Sequence, residues 1–556
     1  MGPVASALRL LRTVRHLRWR QIIGRVRFRL SRPLPDPRPA PATRTAPRHW
    51  VQGCGRPPSL VAPGRFVLLN ECRDLGDVGW DGPGVTHLWR YNQHYFEDLV
   101  ADDAAARAAW HRSLIHDWIA CNPPGRGTGW EPYPTSLRIV NWIKWSWQGG
   151  TLSEEATHSL AMQVRWLTRR LEWHLLGNHL FVNAKALVFA GLHFEGSESR
   201  TWLRRGLDIL REQVTEQILP DGGQFELSPM YHALALEDML DLWNAIRARS
   251  DSLEADDLAW IDAQRSTIET MRRWLDTMMH PDGDIALVND AAFGIAPARA
   301  ALHRYAKSLG FAPALSPADG LTVLADSGYV RVQLAGMVTI LDVGRIGPDY
   351  LPGYAHADTL SVELSLHGHR VLVDSGTSEY GTGAERLRQR GTAAHNTLTV
   401  DGADSSEVWG GFRVARRARP LDLRIERGPD GRSFRIACGH NGFLRLRGGA
   451  VHRKTWTFAA GSLEVLDEVT GTGRLASFWH WHPSCRVSVI HDTGLSVRGT
   501  PDVTVDVAGG VWNLEPSTWH PRFGVRQEAC RGSVTPSGRT IQVRFRWSDR
   551  ASSLPD

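Results

Sequence analysis

A helical domain followed by a large antiparallel β-sandwich, an α+β multidomain chain, is predicted by three observations. Apolar residues recur three and four apart from about residue 104 to 306, the period of an amphipathic helix. From about 321 to 545 the period falls to two, with glycine and asparagine or aspartate turns at short intervals, as in a sandwich. The 556 residues are 42% hydrophobic, enough to fill more than one core. These observations divide the chain into a basic arm and linker at 1–63, a helical domain at 64–315 and a sandwich at 316–556.

The arm, ALRLLRTVRHLRWRQIIGRVRFRL, mixes arginines with apolar residues at helical spacing. Two readings are open. It packs on the protein's own surface through its apolar side, or it meets an anionic membrane surface or a protein partner. The net charge is +6, and residues 1–32 hold nine arginines and no acid, so the remainder carries 6 − 9 = −3. The basic surplus therefore belongs to the arm, and an acidic ligand of the globular part must be met by local charges. The Pro-rich stretch to about residue 63 reads as an extended linker laid over the surface. A short alternating piece, RFVLLNE, follows it.

HLWRYNQHYFEDLV gathers Trp89, Arg90, Asn92, His94 and Tyr95, which either line a sugar site or fill a helix-side core. Within the helical region, three breakers carry more polar residues than a connection needs. GNHLFVNAKAL opens with Asn178 and His179, where Asn178 is either an N-cap or a ligand contact. DGGQFELSPMYH crowds Gln224, Glu226, Tyr231 and His232 at a helix entrance marked by Pro229. WEPYPTSLRIVNW presents Glu131, Tyr133, Arg138 and Asn141. Periodicity alone leaves a bundle, a solenoid and a ring equally open.

Several classes are disfavoured. No eighteen consecutive residues are apolar, and no Walker loop, Rossmann fingerprint or Gly-x-Ser-x-Gly elbow occurs. No recognised nucleic-acid module accompanies the basic arm, so no nucleic-acid partner is expected. Six scattered cysteines without paired spacing agree with reduced thiols. The arm lacks the apolar core and cleavage site of a secretory signal, which points to the cytoplasm.

In GYAHADTLSVELSLHGHRVLVDSG…RGTAAHNTLTV, the turn LHGHR folds two strands together and brings His356 and Asp374 near one another, while His395 opens a third strand. Two imidazoles and a carboxylate suit zinc, although strand-end histidines also serve backbone groups. GYAHAD, VLVDSGT and AHNTLTV, in that order, resemble the C-terminal half of the heparinase II/III family of polysaccharide lyases, close to alginate lyases of the same architecture.

The resemblance implies an (α/α) toroid before the sandwich, and a structural divalent metal, zinc, on His356, Asp374 and His395. It implies roles in catalysis for Tyr231, Asn178 and His179. The family's usual active-site histidine is replaced here by Tyr354, the fourth candidate. Asn92, His94, Tyr95, Arg138, Glu226, Tyr380 and Arg390 are expected to bind substrate.

The implied chemistry is β-elimination, removal of the C5 proton of a uronate with loss of O4, the developing charge being held by donors at the carboxyl group. A tyrosine base needs its pKa, about 10 when free, lowered by cations or hydrogen bonds, and His179, His232 and Arg138 are candidates for that. The expected partner is an acidic polysaccharide, such as the cell's own exopolysaccharide, and the periplasm is the alternative location for such an enzyme. A glycan-binding or assembly protein without activity, and a metal-dependent glycan hydrolase, are the competing expectations.

Overall fold

The structure is a computed structural model that describes residues 3–548 apart from 315, 430 and 500. In the helical domain the hub is the Gly177–His193 helix, which is apolar nearly all round and buried along most of its length. Helices Pro132–Trp147, Gly196–Gln217 and Pro229–Ala248 pack around it. Gly191 permits the closest of these approaches, since a Cβ there would lie 2.7 Å from the Leu203 amide nitrogen. Helices Ala255–Thr277 and Arg299–Ser308 complete the domain before the first long sheet begins at Gly320.

Two antiparallel sheets follow. The nine-stranded one runs, in spatial order, Gly510–Trp519, Gln527–Pro536, Leu475–Trp481, His369–Leu372, Val362–Leu366, Met337–Asp342, Tyr329–Leu334 and Gly320–Leu324, with Leu398–Val400 paired beside Leu475–Trp481. The other has eight strands and packs on it through Val362, Leu364, Trp456, Trp479, Val543 and Phe545.

Val362–Leu366 alternates in sequence yet is buried on both faces. Its apolar row meets the second sheet, while its polar row meets the helical domain. There Glu363 accepts from the Leu287 amide at 2.8 Å, and Ser365 Oγ lies 2.7 Å from His280 Nδ1. Those bonds fix the irregular segment 278–290, which carries Asn289 and Asp290 into the domain junction.

The arm forms two helices, Pro3–Val14 and Trp19–Leu30, and it packs on the body. The expected apolar packing is corrected: the contacts are polar or involve arginine and aromatic rings. Gln21 Nε2 donates to Tyr350 O at 3.2 Å, Arg18 and Arg20 pair with Glu216 and Glu212, and Trp409 Nε1 donates to Thr13 Oγ1 at 3.1 Å. The linker is pinned as well, through the Arg44 amide on His193 O and Val51 on Asn244.

Candidate active site at the domain junction

Three segments enter the junction through left-handed, non-glycine residues: Leu176 before Gly177, Leu227 before Ser228, and Asn289 before Asp290, with φ of 64°, 61° and 56°. Such conformations carry a cost that surrounding contacts must offset, and they cluster at functional sites.

Leu176, not Asn178, is the N-cap of the hub helix. Gly177 holds φ of 55°, which favours glycine, and a Cβ there would stand 2.4 Å from a Leu351 methyl and 2.7 Å from Glu226 Oε1, so those side chains would have to shift. The Glu226 carboxyl therefore sits against that helix start. Asn178 and His179 follow, both part-exposed. His179 Nδ1 donates to Glu172 Oε1 at 3.0 Å, and its ring lies 4.6 Å from that of Tyr133. Burial disfavours the imidazolium, but the charge and hydrogen bond of Glu172 outweigh it and raise the pKa. Glu226 is pushed up to about 8 by burial, against the opposing pull of His179, and its Oε1 has no partner.

Tyr231 lies on the first turn of the Pro229–Ala248 helix, capped by Ser228. Its ring stacks on Tyr354 at 3.9 Å and 15°, and its hydroxyl is 2.9 Å from that of Tyr380. Burial holds all three phenols well above the usual tyrosine range. The Arg386 guanidinium stands 5.0 Å from the Tyr380 ring and is held by Asp290, with NH2 donating to Oδ2 at 2.6 Å. Asp290 also accepts from His356 Nε2 at 2.8 Å, and its amide donates to Tyr354 O at 3.0 Å. Burial opposes ionisation of Asp290, yet Arg386 and His356 keep its pKa low. One buried residue thus fixes the backbone of Tyr354 through its amide, and the ring of His356 and the cation behind Tyr380 through its carboxylate.

The three expected metal ligands form two separate carboxylate–imidazole pairs. His395 Nδ1 is bound to Asp374 Oδ2, whereas His356 is bound to Asp290. The two imidazole rings lie 5.3 Å apart, with His356 Nδ1 and His395 Nε2 buried and unpartnered. No three such side chains are arranged as a ready metal cluster among the described residues. Two orphaned imidazole nitrogens, each on a ring oriented by a carboxylate, nonetheless fit the donor chemistry of a zinc ion.

Several expected substrate contacts are corrected. His94 is fully buried, its Nε2 donating to Trp80 O at 2.9 Å and its Nδ1 accepting from Trp118 Nε1 at 3.0 Å, so no ring nitrogen is free. Arg138 is buried over the Trp118 ring at 3.9 Å and donates to Gln163. Arg390 donates to the carbonyls of Ala355, Gly410 and Gly411. It braces the loop from within.

Asn92, part-exposed, donates one Nδ2 hydrogen to Leu88 O at 2.9 Å, while Tyr95 is buried and packs on Tyr133 at 5.9 Å. His232 accepts from the Gln224 amide and donates to Met271 O. Neither it nor Arg138 is available to acidify Tyr231, and that expectation fails. A hollow of about 700 Å³ lined by Trp80, Asp117, Asn122 and Arg126 shares no residue with the phenol cluster.

Nothing in the spacing singles out Asp290, Arg386 or Glu172. Arg386 lies one helical turn before Arg390 on Ala384–Arg390, in a stretch that carries no motif. Asp290 follows an aperiodic stretch in which no motif marks one acid over another.

Comparison with known proteins agrees with the order of the two domains. Residues 100–310 match the Heparinase II/III N-terminus, and 317–548 match Heparinase II/III-like, C-terminal. A heparin-sulfate lyase of Pedobacter heparinus is 29% identical over 252 residues, covering 40% of this chain and 36% of the relative. One from Bacteroides stercoris is 26% identical over 246 residues, with the same coverage. The chain therefore spans about a third of the length of those curated relatives.

Among solved structures, a heparinase III has a TM-score of 0.68 at 17% identity, over 86% of this chain and 81% of that one. A Streptomyces coelicolor chondroitin AC lyase has 0.52 at 11%, over 96% and 80%. These neighbours share the fold, an (α/α) toroid followed by a β-sandwich. With both halves matched in order and the junction built from their meeting, the chain belongs to the heparinase II/III family.

Proposed function

We propose that this chain is a polysaccharide lyase that cleaves a uronate-containing acidic polysaccharide by β-elimination. The observation that carries the reading is the phenol cluster of Tyr231, Tyr354 and Tyr380 where the two domains meet, with His179, whose pKa is raised by Glu172, on the helical wall that also bears Tyr231. His179, with Asn178 beside it at a helix start, meets the uronate carboxylate and stabilises the charge that develops on it. A phenol of the cluster takes the C5 proton, the C5–H electrons form the C4–C5 double bond, and the C4–O4 pair leaves with O4, which is protonated by a phenol.

All three phenols are neutral in the free site, so proton donation to O4 needs no prior ionisation. Accepting the C5 proton requires a phenolate. Arg386, beside Tyr380, is the cation placed to stabilise one in a connected pair. The bacterial exopolysaccharide assignment rests on sequence resemblance, and the heparan and chondroitin substrates belong to the named relatives.

A divalent ion, zinc by donor type, is proposed at His356 and His395 with Asp374 as the third ligand. When bound, it supplies a fixed charge that braces the strand ends. His356 and Asp290 keep the Tyr354 loop in place, and no proton transfer is routed through the ion.

The test is ultraviolet absorbance during incubation with alginate, heparan sulfate, hyaluronan and bacterial exopolysaccharides, since each eliminative cut creates a conjugated uronate. Absorbance that rises with one polymer and is lost in Tyr231→Phe supports the lyase. New reducing ends without absorbance replace it with a hydrolase. Binding without either product makes the chain a glycan-binding protein, the reading favoured by Tyr354 in place of the family's histidine. Metal analysis of purified wild type and His395→Ala tests the ion separately, with bound zinc in the first and its loss in the second.

A further inference from the structure

We propose that the N-terminal arm is a docking surface for an anionic phospholipid bilayer. The proposal is independent of the lyase reading, because it concerns a face that takes no part in the phenol cluster. The second arm helix, Trp19–Leu30, turns Gln21, Gly24 and Phe28 to the body. Gln21 is 2% exposed, a Cβ on Gly24 would lie 2.9 Å from the His174 amide nitrogen, and the Phe28 and His174 rings are 4.1 Å apart.

At about 100° per residue, Trp19, Ile22, Ile23, Val26 and Leu30 occupy one arc on the opposite side. All five are solvent-exposed, Trp19 at 77% and Leu30 at 78%. On the same wheel Arg20 and Arg27 fall on one flank of this stripe, and Arg18, Arg25 and Arg29 on the other. Arg18 and Arg20 reach back to Glu216 and Glu212. Arg25, Arg27 and Arg29 are exposed and have no acidic partner among the described residues.

The preceding helix also turns an apolar row outward. Thr13 and Arg9 face Trp409, while Val4, Leu8, Leu11 and Val14 are exposed. An arm that folded against its own protein for burial would turn these apolar rows inward, yet both helices turn them out.

Charge complementarity selects the occupant. An apolar stripe bordered on both sides by arginines matches an interface whose headgroups are anionic and whose acyl region lies just beneath them. The arginine stems lie along the apolar zone and raise their guanidinium groups to the phosphates. A polyanionic glycan would engage the arginines but leave nine apolar side chains in water. A bilayer satisfies both.

The test is sedimentation of the full chain with vesicles of phosphatidylcholine alone and of phosphatidylcholine with phosphatidylglycerol, alongside light scattering. Wild type is expected to partition onto the anionic vesicles, at least about tenfold more than onto the neutral ones. Ile23→Asp with Val26→Asp is expected to lose that partition with an unchanged thermal unfolding curve, since both side chains are already exposed. Absence of wild-type binding to anionic vesicles overturns the proposal, as does equal binding by the double variant. Concentration-dependent self-association that the double variant abolishes, without vesicle binding, assigns the face to a second copy of the chain instead.

Discussion

The two walls of the junction use polar residues in opposite ways. On the helical wall, Asn178, His179 and Tyr133 are part-exposed and present atoms toward solvent. On the sheet wall, Asp290, Arg386, Arg390, His356 and His395 are all but inaccessible to water and spend their bonding capacity mainly on one another and on backbone carbonyls. The helical wall therefore supplies groups that can meet a ligand. The sheet wall supplies rigidity, and its contributions to the site itself are Tyr354 and Tyr380, held from behind. A binding group needs spare hydrogen-bond capacity, whereas a positioning group is effective when it has little left.

The sharpest way to break this contrast is to remove the carboxylate at the centre of the rigid wall. Asp290→Ala leaves the Arg386 guanidinium buried without its counter-ion, a change that costs about 3–5 kcal/mol in comparable buried pairs. It also frees the His356 ring by removing its carboxylate partner, while the Asp290 amide keeps its bond to Tyr354 O. Denaturant unfolding followed by circular dichroism should show a loss of that size, together with loss of any lyase activity. Unfolding within about 0.5 kcal/mol of wild type would mean that Arg386 finds water, and that the sheet wall is not the dry brace described here.

Next in size is the chemistry of the phenol row. Tyr231→Phe keeps the ring stacked on Tyr354 and deletes one hydroxyl, so the fold should survive while turnover falls by about 10²–10⁴-fold, the range for a lost proton-transfer group. Tyr380→Phe should cost less, because its hydroxyl acts through that of Tyr231. Steady-state absorbance assays on the two variants rank them. If Tyr380→Phe proves the more damaging, the sheet wall takes part in the proton transfer directly.

How far the sequence could show this division differs between the walls. Change of period gives the order of helices and strands, because burial on one face imposes it. The breakers before Asn178, Tyr231 and Tyr354 stand out because polar residues interrupt apolar runs, and the Tyr231 and Tyr354 rings do meet. His94 and Arg138 have the same composition signal and lie in the core, since a buried polar group satisfied by neighbours is indistinguishable in sequence from one that awaits a ligand. Arg390 and Arg386 share one helix, and only the path of the chain at Asn289 and Asp290 decides which guanidinium backs Tyr380. That path is set by long-range bonds such as Glu363 to Leu287, and no local pattern encodes them.

The smallest of the expected effects is a pH dependence on the helical wall, and it tests whether that wall is built for a ligand at some cost to stability. Glu226 has its pKa raised from 4.5 to about 8 by burial. Between those values the folded protein keeps a proton that the unfolded chain has released, so this group lowers stability progressively as pH rises from about 4.5 to about 8. His179, whose pKa is also raised, contributes in the same direction, since its pairing with Glu172 stabilises the fold at low pH and is lost as pH climbs through its folded value. Glu226→Gln removes the first contribution and leaves the main cause of the second, the pairing of His179 with Glu172, in place. Relative to wild type, the variant should be about equal in stability near pH 4 and more stable by a few kcal/mol at most above pH 8, because a tenfold change in proton affinity is worth about 1.4 kcal/mol. Urea titrations at several pH values measure this. A difference that stays flat with pH would mean that Glu226 is ionised in the fold, and that the hub helix start and His179 already neutralise it before any acidic sugar arrives.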